Sequence, residues 1–216
     1  MMQGRRLWRT GGWRSMFIHL FGAMVVWLCA GLAWLPLASA QEASPAISER
    51  QTVGVVVGGM LPVRFMDGQS SKLNGVSVHP YWQIVVMSPT SHEWWSGSVA
   101  LGVEAAFLGI AEPTSAYGLG VTPKVVYTFT SFGPLKPYIE GGGGPLWTNF
   151  DGRIPEQGSD FNFLVWGGAG ATYDLTTRWV LNAGLRFSHI SNADTDSPNG
   201  GLNYLLPFIG VSAKLF

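Results

Sequence analysis

Near its C-terminus the chain reads Arg186-Phe-Ser-His-Ile-Ser-Asn-Ala-Asp-Thr-Asp-Ser-Pro-Asn-Gly-Gly-Leu-Asn203. His189 and Ser191 stand two residues apart, so on a strand they share one face. Imidazole takes and gives a proton near neutral pH, and a hydroxyl both donates and accepts hydrogen bonds. A loop carrying Asn192, Pro198 and Asn199 follows, and the next apolar alternation starts at Asn203. A purely structural loop does not require H-x-S-N followed by P-N-x-G-x-N. The stretch therefore marks itself out for chemistry, and two neighbouring strands must hold it.

Those strands are visible in the alternation. In 178–190, Leu181, Ala183, Leu185 and Phe187 take the odd positions, with Asn182, Gly184, Arg186 and Ser188 between them. In 203–216, Leu205, Ile209, Val211, Ala213 and Leu215 face one way and Gly210, Ser212 and Lys214 the other. The segment 117–130 repeats the pattern: Val121, Val125, Tyr127 and Phe129 oppose Gly120, Thr122, Lys124 and Thr128. Further strands are expected at 52–63, 76–87, 98–110, 136–148 and 161–174, making eight in all. No second domain and no fixed-period repeat is visible.

Only 12% of the 216 residues are charged, against about 25% in soluble domains. Beyond residue 40, however, no apolar run is long enough for a membrane helix. Apolar enrichment carried by alternation instead of by a run fits a membrane β-barrel. The expected fold is all-β: an eight-stranded antiparallel transmembrane barrel of the bacterial outer membrane over 52–216. The opposite face, with Glu104, Lys124, Glu140, Arg186 and many glycines, fits a narrow, ion-paired lumen without a pore. Trp82, Trp94, Trp95, Tyr127, Trp147, Trp166 and Tyr173 are expected in interfacial girdles. Phe216 ends the chain, resembling the C-terminal assembly signal of such barrels.

Residues 1–40 read as an export signal. Arg5, Arg6, Arg9 and Arg14 precede the apolar stretch Phe17 to Leu37, and Ala38-Ser39-Ala40 is a small-x-small cleavage site. The alternative is a retained membrane anchor. Residues 41–51 form a polar lead-in. With the four leader arginines set aside, nine basic residues face thirteen acidic ones, a net charge of −4 and no basic patch for nucleic acid. Cys29 is the only cysteine and lies in the leader, so the mature chain has no disulfide, thiolate nucleophile or zinc–cysteine site. His79 and His92-Glu93 lack metal-ligand spacing, and Gly141 to Gly144 lacks the context of a phosphate loop. No metal and no cofactor is expected.

Short turns at 131–135 and 174–177 belong on the periplasmic side, and the longer segments 64–75, 149–160 and 191–202 outside. The connection 88–97 is long for the periplasmic side. Strand seven then ends at the cell surface. Its odd register carries His189 and Ser191 outward, and Asn203, of the same parity as Leu205, lies beside them. Unpaired polar groups are unfavourable on a lipid-facing surface. There they would meet the sugar and ester region of outer-leaflet lipid.

The H-x-S-N…P-N-x-G run resembles the active-site region of the lipid A 3-O-deacylase (PagL) family of eight-stranded outer-membrane barrels. In that family a Ser–His–Glu triad on the barrel exterior hydrolyses the ester-linked acyl chain at position 3 of lipid A. The resemblance implies Ser191 as nucleophile, His189 as general base, and Asn192 and Asn199 as residues shaping the oxyanion hole. The substrate would be lipid A of lipopolysaccharide in the outer leaflet; a homodimer is left open. The family's glutamate falls twelve residues after the serine, where this chain has Asn203. An amide can orient His189 but offers it no charge, and Asp194 or Asp196 stand near enough in sequence to substitute. The alternative function is a non-catalytic outer-membrane barrel with a structural or lipid-binding role.

Overall fold

The structure, a computed structural model, describes residues 50–63, 72–88 and 93–215. The expected leader 1–40 and most of the lead-in lie outside these residues. Eight strands follow one another: β1 (Gln51–Pro62), β2 (Asn74–Met87), β3 (Gly97–Glu112), β4 (Ala116–Phe129), β5 (Leu135–Thr148), β6 (Phe161–Asp174), β7 (Trp179–Ser191) and β8 (Leu202–Leu215). Each pairs antiparallel with the next, and β1 pairs with β8, closing the barrel. Closure leaves no strand edge unpaired, which a wall surrounded by hydrocarbon demands.

The alternation sorts the two faces of the wall as expected. Val57, Phe107, Val121, Ile139, Leu185 and Ile209 are exposed on the outer surface. Arg186 is 1% exposed inside. Its guanidinium bonds Glu104 at 2.8 and 3.0 Å and Glu140 at 2.8 and 3.2 Å. Lys124 stands 3.4 Å from Glu104 and 3.5 Å from Glu140. Two carboxylates thus meet two cations, the condition under which buried charge is tolerated.

The lumen is not polar throughout. Towards the end where β7 finishes, Met60, Leu108, Leu146, Leu164, Ile190 and Leu206 form a buried apolar cluster. Phe150 and Ile154 of the β5–β6 connection join it and are 0% and 1% exposed. That connection tucks two apolar side chains into the barrel mouth, so this half of the lumen packs as an apolar core. Trp166 departs from the girdle expectation. It is 2% exposed, and the Arg186 guanidinium lies 4.0 Å from its ring. Its even position on β6 points it inward, and Gly142 makes room: a Cβ there would lie 2.7 Å from the indole. At the opposite end Ser96, just before β3, meets the β4–β5 turn, where Thr130 N–H donates to Ser96 O at 3.0 Å.

Candidate active site

β7 and β8 pair His189 with Asn203, and β6 sets Val165 beside His189 and Phe163 beside Ser191. His189 and Ser191 lie on the outer side of the wall, alternating with buried Ser188 and Ile190. The Asn203 side chain meets the imidazole, with Nδ1 2.8 Å from Oδ1. An amide oxygen only accepts, so Nδ1 carries the proton and Nε2 presents its lone pair. That is the tautomer a general base requires.

Gly201 fixes the ring from the other side. It adopts φ +70°, and a Cβ built there would lie 2.8 Å from His189 Cε1. The glycine of the P-N-x-G-x-N run is therefore required twice, by its backbone conformation and by the space the imidazole occupies. Asn203 is 1% exposed, and its carbonyl accepts Val63 N–H at 3.2 Å, tying the site to β1.

Asn192, fully buried, organises the β7–β8 loop. Its N–H donates to Asn199 Oδ1 at 3.1 Å, and its Nδ2 donates to Asp196 O at 3.0 Å. Its Oδ1 accepts Asp194 N–H at 3.0 Å, and its carbonyl accepts the Thr195 hydroxyl at 2.7 Å. Ala193 and Asp194 both sit in the left-handed region, at φ 55° and 61°. Asn199 Nδ2 in turn donates to Asp194 Oδ1 at 2.8 Å. The two asparagines thus bind each other and set the loop. In this state the amides of both are engaged within it.

Among the described residues, no hydrogen bond joins Ser191 to His189, or Asp194 or Asp196 to His189. Both aspartates are exposed, one held by Asn199 and the other by Ser197 N–H at 2.7 Å. The serine and histidine lie two steps apart on the strand, with Ile190 between them, about 6.6 Å along the backbone. Such contacts often tighten only when substrate binds.

The β5–β6 connection also reaches this loop, which sequence reasoning missed. Gly200 N–H donates to Glu156 O and Gly158 N–H to Pro198 O, both at 2.8 Å, around a Gln157–Asn199 bridge. Gln157 Nε2 reaches Ile190 O at 3.5 Å. Nothing in its local pattern marks it, because these contacts are purely tertiary.

A second Ser–His–Glu arrangement lies in the lumen. Ser77 Oγ is 2.7 Å from His79 Nε2, and His79 Nδ1 is 2.9 Å from Glu104 Oε1. The three are 0%, 2% and 0% exposed, so no ester can reach the serine, and Glu104 is already held by Arg186. Geometry without access is a structural network. Among the described residues, no group of three histidine, cysteine, aspartate or glutamate side chains is placed to hold a metal ion.

A family model described as lipid A 3-O-deacylase (PagL) matches residues 63–212. Among solved structures, the outer membrane enzyme PagL superposes with a TM-score of 0.53 at 24% identity, covering 74% of this chain and 97% of that one. Neisserial surface protein A superposes with a TM-score of 0.57 at 16% identity, covering 76% and 97%. At these identities the superpositions speak for the fold alone. No curated protein matches the sequence significantly. The fold is that of the closed eight-stranded barrels of the outer membrane, and the match spans well over half the chain. The chain belongs to the lipid A 3-O-deacylase (PagL) family.

Proposed function

We propose that this protein is an outer-membrane ester hydrolase that removes the 3-O-linked acyl chain from lipid A in the outer leaflet. One observation carries the reading. On the outer wall of the barrel, beside Ser191, Asn203 holds His189 in the tautomer whose Nε2 is free to accept a proton. Ser191 Oγ attacks the ester carbonyl while its proton passes to His189 Nε2. Asn192 and Asn199 shape the loop that receives the oxyanion, with its amides turning to the substrate on binding. Collapse of the intermediate expels the sugar hydroxyl, which takes the proton back from His189. Water, deprotonated by the same Nε2, then releases the 3-hydroxy fatty acid and restores Ser191. The leader 1–40 is cleaved after Ala40 on export, and the β7–β8 end faces the cell exterior.

A non-catalytic, lipid-binding barrel is favoured by one feature. The triad acid is replaced by neutral Asn203, and exchanging the acid of a Ser–His–Asp triad for an amide lowers kcat about 10⁴-fold. Mass spectrometry of lipid A from cells with and without the protein decides between them. The hydrolase removes one 3-hydroxyacyl mass; unchanged lipid A leaves the non-catalytic reading.

A further inference from the structure

On the outer wall at the site end, aromatic rings gather on one flank of Ser191. Tyr117 of β4, Trp147 of β5 and Phe161 of β6 are 61%, 53% and 40% exposed, and Phe163 of β6 stands directly beside Ser191. The rings hold one another. Trp147 and Phe161 are cross-strand partners with centroids 5.5 Å apart, edge to face, and Phe161 meets Phe163 at 5.4 Å in the same way. On the other flank, among the described residues, β8, β1 and β2 show Leu205, Leu61 and Val76 at this end. An interfacial girdle encircles a barrel. A one-sided shelf that ends at the serine asks for a different occupant.

Two features point to a sugar ring. Phe161 stands two residues beyond Phe163 on β6, about 6.6 Å further along the strand. That step matches the width of one pyranose. With the scissile carbonyl at Ser191, the sugar bearing the ester oxygen comes to lie over Phe161 and Trp147. Acceptors also border the rings. Asp160 is exposed next to Phe161, and one of its oxygens accepts Asp151 N–H at 2.9 Å. A carboxylate has room for further donors. The C–H bonds on the face of a pyranose carry slight positive charge and are drawn to the negative faces of aromatic rings, while its hydroxyls need acceptors. Hydrocarbon has no use for the acceptors.

We propose that Trp147 and Phe161 form a platform for the sugar ring that carries the scissile ester, with Asp160 accepting from its hydroxyls. The proposal rests on the reading of Ser191 as nucleophile towards an ester of lipid A. Recognition of the headgroup then belongs to β5 and β6, and selectivity lies in the alcohol half of the ester.

The test uses Ser191→Ala in detergent micelles, labelled in its tryptophan and phenylalanine rings, with intact lipid A as probe. Nuclear Overhauser contacts should run from the Trp147 and Phe161 rings to the sugar protons, each assigned by its loss in Trp147→Leu or Phe161→Leu. Contacts to acyl methylenes alone, or none, overturn the proposal. Turnover gives a second reading. Trp147→Leu and Phe161→Leu, still apolar, each raise KM for lipid A about threefold to tenfold with kcat little changed. Neither alters hydrolysis of the ethyl ester of the same 3-hydroxy fatty acid, which has no sugar. Tyr173→Leu, on the outer wall at the opposite end of β6, changes neither. Equal effects on both esters mark an ordinary membrane anchor and overturn the proposal. The contacts need no catalysis, so a protein that cleaves nothing still decides the platform. An active enzyme without sugar contacts leaves the hydrolase reading standing.

Discussion

His189 is poised by a neutral amide, and that fixes what single substitutions do. Ser191→Ala and His189→Ala each abolish release of 3-hydroxy fatty acid while the barrel still folds, checked by gel mobility with and without heating. Asn203→Leu leaves the imidazole without its acceptor and lowers kcat by at least about tenfold, because the ring then samples both tautomers. Asn203→Glu raises kcat roughly tenfold to a thousandfold, because a carboxylate beside Nδ1 favours the imidazolium of the transition state. The parity of β7 and β8 made His189, Ser191 and Asn203 legible as neighbours on one face. Gln157 was illegible, because its place depends on two backbone hydrogen bonds between distant loops and on no local pattern.

The β7–β8 loop is one hydrogen-bonded unit, and its residues act through shape. Gly201→Ala puts a methyl 2.8 Å from His189 Cε1 at φ +70°. It costs about 1–2 kcal/mol in backbone strain and displaces the ring; kcat falls at least about tenfold with the barrel intact. Gly133→Ala is the control: φ is +68°, but nothing lies within 4 Å, so activity is unchanged. Asn192→Ala leaves the Asp194 N–H without its acceptor in the loop and lowers kcat by disordering it, read as faster amide exchange over 192–201. The sequence marked Asn192, Asn199 and Gly201 as more than loop filler. It did not reveal that the asparagines bond to each other, since that needs the loop's path. Trp166 illustrates the converse. Its residue type pointed to a girdle, while its even position on β6, shared with Leu164, already placed it inside.

At the scale of the molecule, the barrel is a wall around two different fillings. The Arg186–Glu104–Glu140–Lys124 network holds one half. Arg186→Ala leaves Glu140 with Lys124, and Glu104 with Lys124 and His79, and lowers stability by about 3–5 kcal/mol, read as a lower urea midpoint in detergent. Leu185→Arg on the outer wall costs about 2–4 kcal/mol if that position lies at the membrane midplane. Strand number, order and facing followed from period-two alternation, because a closed wall has few other solutions. The apolar filling of the half beneath the β7–β8 loop did not follow. Leu146, Leu164 and Leu206 are inward residues whose burial depends on Phe150 and Ile154 closing the mouth from a loop.

The central claim is that Ser191 on the outer wall opens an ester of lipid A. The most direct measurement is mass spectrometry of lipid A incubated in mixed micelles with the purified protein and with Ser191→Ala. The wild-type protein should release one 3-hydroxy fatty acid per lipid A, and Ser191→Ala none. Lipid A left intact by the wild type, or cleaved equally by both, would contradict it.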